Sequence, residues 1–106
     1  MKKSLIVILL LLSAAAHAAE TITAQVNGMV CAFCAQGIEK KVRALPQTED
    51  VYVNLQQKIV AVQVKPGQHL TDEAITALIE DAGYDVTHIE RADDTTAAIR
   101  ARMEQP

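Results

Sequence analysis

Residues 20–45 read ETITAQVNGMVCAFCAQGIEKKVRAL, and the hydrophobic period changes part-way along them. From Glu20 to Asn27, Ile22, Ala24 and Val26 alternate with Thr21, Thr23 and Gln25. A period of two with polar partners predicts a half-buried strand. Gly28 interrupts it. From Cys34 onward Ile38, Val42 and Leu45 recur at helical spacing, with Lys40, Lys41 and Arg43 on the other side. Pro46 ends this helix, because the residue before a proline avoids the helical region. Cys31 and Cys34, the only two cysteines of the chain, therefore fall where a loop enters a helix.

Downstream, Val51, Val53 and Leu55 alternate with Tyr52 and Asn54, and Val60, Val62 and Val64 with Ala61 and Gln63. Gln56-Gln57 between them is short enough for a hairpin, although the favoured Asn-Gly or Asp-Gly turn is missing. Ile59 and Ala61 compete as the buried face of the second of these strands, and the pattern leaves its register open. Thr71 suits a helix N-cap, with Asp72 and Glu73 near the positive helix end. Ile75, Leu78, Ile79 and Ala82 form that helix's stripe, and Gly83 stops it. Tyr84 to Ile89 reads as a last strand. The order β-α-β-β-α-β predicts an α+β, ferredoxin-like sandwich: a four-stranded antiparallel sheet with two helices on one face. The other face is expected to be polar and open to water.

The chain's start has a separate reading. Lys2 and Lys3, the apolar run Leu5 to Leu12 and the small-x-small group Ala16-His17-Ala18 resemble a secretory signal peptide. The expected organisation is a leader over 1–18, a domain over 19–90, and a C-terminal tail over 91–106, flexible or a short helix. In that tail Ile99 and Met103 make only a thin apolar stripe. Cutting after Ala18 leaves 88 of 106 residues, enough for one small domain. It also leaves eight basic against thirteen acidic residues, a net charge of −5. An acidic chain without a basic cluster argues against nucleic acid. The expected location is periplasmic, with a monomeric chain and no stable membrane insertion after cleavage.

Export places the cysteines in an oxidising compartment. A disulfide closing so small a loop does little to restrain an unfolded chain, so a fold staple explains the pair poorly. A metal-binding or reactive pair explains it better. Thiolates are favoured at a helix N-terminus and are soft ligands. With no third ligand fixed nearby in sequence, two sulfurs suit ions that accept two-coordination: Cu(I) or Hg(II), with Ag(I) also compatible and Zn(II), which prefers four ligands, less so. Such an open site can release its ion to an incoming thiolate. Its partner would be a membrane metal transporter or another metal carrier. The rival reading is a periplasmic thiol-disulfide oxidoreductase using the same pair, although the aromatic-Cys-Gly-Pro-Cys character of that class is missing. His69 and His88 read as surface or edge histidines, and Met29 as a core residue before a thioether ligand. The run Lys40, Lys41, Arg43 reads as a solvated face that could guide docking to an acidic partner.

The run Gly28-Met29-Val30-Cys31-Ala32-Phe33-Cys34 resembles the GMxCxxC signature of heavy-metal-associated domains, a family that includes copper chaperones, copper-pumping ATPase domains and a periplasmic mercury-binding protein. The resemblance covers roughly residues 21 to 90, with Gly83-Tyr84 after the second helix. It implies the ferredoxin-like fold, metal ligation by Cys31 and Cys34, a bracing core role for Met29 and a place near the site for Tyr84. An exported single domain most resembles the mercury-binding member in architecture. The expected role is a carrier, not an enzyme. Val30 stands where the family often has Thr, and Phe33 is bulkier than the usual residue between the cysteines.

Overall fold

A computed structural model describes residues 19–105. The leader expected over 1–18 lies outside the described residues. The elements run β1 (Glu20–Asn27), α1 (Ala32–Arg43), β2 (Thr48–Asn54), β3 (Ile59–Val64), α2 (Asp72–Asp81), β4 (Asp85–Ala92) and α3 (Thr96–Met103). All strand pairs are antiparallel and the sheet order is β2-β3-β1-β4. This is the ferredoxin-like plan, with one further helix at the end.

The core between the sheet and the α1–α2 layer is aliphatic. Ile22, Ala24 and Val26 of β1 and Val60, Val62 and Val64 of β3 meet Ile38 and Val42 of α1 and Ile75 and Ile79 of α2. Strand β4 contributes Val86 and Ile89, whose spacing of three defies strict alternation. A register shift resolves it: Ala24 pairs with Ile89 and Gln25 with His88, but Val26 pairs with Val86. Thr87 is the extra residue, so both apolar side chains point inward.

The β2–β3 turn forms without a glycine. Lys58 takes a φ of 58°, and the Asn54 side-chain oxygen accepts the Gln57 N–H at 2.9 Å. Asn54 thereby ties the turn together through the N–H three residues on.

The outer sheet face differs from the expected polar one over half its width. Ile59 and Ala61, the competing face of β3, are buried with Tyr52 against Ile99 of α3. Both readings of that strand's buried side are thus satisfied, one by each face. An eight-residue helix alone is marginal in water. Burying an isoleucine such as Ile99 contributes roughly 1.5–3 kcal/mol, and α3 has further anchors. Thr96 Oγ1 donates to Asp50, and its N–H donates to Gln63 Oε1 at 3.0 Å. Arg100 lies 4.9 Å over the Tyr52 ring. Over β1 and β4 the outer face stays polar, with Thr23, Gln25, His88 and Glu90 partly or fully exposed. Among the described residues no helix is long and apolar enough to cross a membrane.

Candidate metal centre

Strand β1 delivers the chain to a loop at one end of the sheet. Gly28 has a φ of +92°, and a Cβ there would lie 3.3 Å from Tyr84 Cδ1. The position thus favours glycine twice, for its backbone and for its space. Met29 follows, fully buried in the main core. It pins the loop from below, as the family resemblance implied. Val30 then projects outward at 77% exposure.

Cys31 is the N-cap of α1. Its backbone is extended (φ −132°, ψ 150°), and its Sγ accepts the Cys34 N–H at 3.1 Å. The sulfur occupies the place that a Ser or Thr hydroxyl takes at an ordinary N-cap. Cys34 lies in the first turn, so helix geometry brings its side chain back over the cap. The two Cα atoms are 5.2 Å apart and the sulfurs are joined as a disulfide. Both residues are half-buried at the surface, so neither sulfur is sealed inside. The first turn of α1 holds no acidic residue. Its positive end is therefore left to the sulfurs. Among the described residues no group of three or more His, Cys, Asp or Glu side chains is placed to hold a metal ion.

The second helix brings the remaining neighbour. Gly83, at φ +96°, donates its N–H to Glu80 O at 2.9 Å, and Tyr84 N–H reaches Ile79 O at 3.2 Å. This is a Schellman ending, and it turns Tyr84 toward Gly28. Tyr84, Phe33, Cys34, Gly37, Lys41 and Asp81 line a shallow groove beside the pair. Phe33, the only phenylalanine of the chain, is 83% exposed. No local sequence pattern signals the groove, because it joins α1 to the end of α2.

The other candidates stand apart. His69 is an exposed loop residue. His88 lies on the outer sheet face with Glu90. In the basic run, Arg43 is engaged by Glu39 at 3.1 Å and Asp50 at 3.4 Å, whereas Lys40 and Lys41 are exposed with no salt bridge among the described residues.

Residues 23–85 match the Heavy-metal-associated domain family. The chain belongs to that family. It is 37% identical over 79 residues to copper-transporting ATPase 1 of Rhizobium meliloti, covering 74% of this chain but 9% of that protein. The chain thus spans about a tenth of the length of such relatives. Among solved structures, the CopZ metallochaperone is 28% identical with a TM-score of 0.59, over 63% of this chain and 98% of that one. Oxidized MerP from Ralstonia metallidurans, at 24% identity and a TM-score of 0.58, shares the fold over 66% of this chain and 96% of that one.

Proposed function

We propose that this heavy-metal-associated domain carries one soft metal ion, Cu(I) or Hg(II), between Cys31 and Cys34, and passes it on by thiolate exchange. The observation that carries the reading is the convergence of both sulfurs at the surface end of α1, where the Cys34 N–H already points at Cys31 Sγ. That hydrogen bond and the uncompensated helix end favour the thiolate form. Soft ligands in a pair favour Cu(I) and ions like it. The CopZ and copper-ATPase similarity supports copper, and the MerP fold keeps mercury in view.

The carrying form is the reduced one. The disulfide must first gain two electrons and two protons, and the ion then displaces those protons from the thiols. With the metal held by two sulfurs, a third thiolate from a partner can attack it, and one of the original sulfurs then leaves. The partner in this reading is a membrane metal transporter or another carrier, met through the face bearing Val30, Phe33 and Lys41. The leader-like residues 1–18 support export and a periplasmic setting, where bound metal or a dedicated reductant keeps the pair from reoxidising. The observed disulfide supports one alternative, a thiol-disulfide oxidoreductase using the same pair.

Competition decides between them. Reduced protein is offered Cu(I), Hg(II) and Zn(II) against chelators, beside a Cys31→Ser, Cys34→Ser control. The carrier reading expects tight one-to-one binding of the soft ions that the control lacks. Weak binding of every ion together with fast catalysis of disulfide exchange would replace it with the oxidoreductase.

A further inference from the structure

The extra residue Thr87 sets His88 opposite Gln25 and Glu90 opposite Thr23, on the half of the outer sheet face that α3 leaves open. His88 Nε2 and Glu90 Oε1 lie 3.0 Å apart. Their side chains are 62% and 71% exposed, so the pair adds little stability. It has a further neighbour. Met103, the last residue of α3, lines the same cleft of about 240 Å³, whose floor includes Gln25 and Ile59. An imidazole nitrogen, a carboxylate oxygen and a thioether sulfur therefore share one recess, on the sheet face opposite α1.

We propose that His88, Glu90 and Met103 form a second metal site, weaker than the cysteine pair and selective for Cu(II). His88 and Glu90 stand two residues apart on one strand face, so both can close on a single ion. Cu(II) heads the affinity order for divalent ions at such nitrogen and oxygen donors, ahead of Zn(II), and it accepts a thioether as a weak axial ligand. Sequence patterning hides the site, because its third donor comes from a helix whose docking depends on Tyr52, Ile59 and Ala61.

The test uses the Cys31→Ser, Cys34→Ser protein, so that it does not depend on the carrier reading. One equivalent of Cu(II) should broaden the amide signals of residues 23–25, 57 and 88–90 and spare those around His69. His88→Ala should abolish the broadening, whereas His69→Ala should leave it intact. Met103→Leu should raise the Cu(II) concentration needed, and Zn(II) should reach the same signals only at higher concentration than Cu(II). Broadening centred on His69, broadening of β4 that survives His88→Ala, a Met103→Leu protein that titrates like its parent, or Zn(II) acting at the same concentration as Cu(II) would overturn the site.

Discussion

Helices α1 and α2 begin with the same hydrogen-bond pattern and use it differently. At α2, Thr71 Oγ1 accepts the Ala74 N–H at 3.1 Å, and Asp72 and Glu73 fill the first turn. At α1, Cys31 Sγ accepts the Cys34 N–H at 3.1 Å, and the first turn has no acid. The α2 start is built for stability: a strong cap and two carboxylates against the positive helix end. The α1 start gives up both. Sulfur is a weaker acceptor than a hydroxyl oxygen, and the positive end faces the sulfurs alone. The difference teaches that the candidate metal centre is a helix cap whose stabilising parts have given way to two sulfurs.

The largest expected effect follows from replacing those sulfurs. Cys31→Ser, Cys34→Ser should abolish soft-metal binding in chelator competition while leaving thermal stability of the reduced protein unchanged or slightly higher, because serine is a good N-cap. A large loss of stability would mean that the pair is chiefly structural.

Next in size is Gly28→Ala. The positive φ and the 3.3 Å approach to Tyr84 should together cost about 1–3 kcal/mol in denaturant unfolding. The change should also weaken metal binding, since it displaces the loop that carries Cys31. An unaltered midpoint would show that the loop tolerates another path.

Thr71→Ala should cost about 1 kcal/mol with no change in metal affinity. Here the α2 cap serves as the control for the α1 cap. The smallest effect tests the missing acids. Ala32→Glu places a carboxylate in the exposed first turn of α1. It should gain about 0.3–1 kcal/mol of helix stability yet slow alkylation of the reduced cysteines, because a nearby negative charge disfavours a thiolate. Faster alkylation would contradict the exchange of stability for ligand chemistry.

Much of this contrast was legible in the sequence. Thr71 with Asp72 and Glu73 announces the α2 cap, and Gly28-Met29 before the cysteines announces the loop. The helix stripe and the alternation of β1 set the ferredoxin-like order. Local patterns did not disclose interactions between distant segments. Val86 and Ile89 share a face only because Thr87 is extruded against β1. The α3 docking depends on Tyr52, Ile59 and Ala61, three residues of other elements whose outward direction is meaningless until the sheet exists.

The same docking carries a pH dependence. Partial burial pushes the Asp50 carboxyl up, but the Thr96 hydroxyl, the Val51 backbone N–H and the Arg43 and Arg100 charges outweigh it and hold it below 3.8. Its folded pKa is depressed, so its contribution is present above the ordinary carboxylate value and is lost as pH falls through the lower folded one. The exchange protection factors of α3 should therefore fall below about pH 3.8 before those of α1, and Asp50→Asn should remove the difference.

X-ray absorption of the reduced, Cu(I)-loaded protein tests the central claim most directly. Two sulfur neighbours around one copper per chain, with no nitrogen or oxygen in the coordination sphere, is the result predicted for a cap converted into a carrier. A copper held by nitrogen or oxygen donors, or the same spectrum from the Cys31→Ser, Cys34→Ser protein, would contradict it.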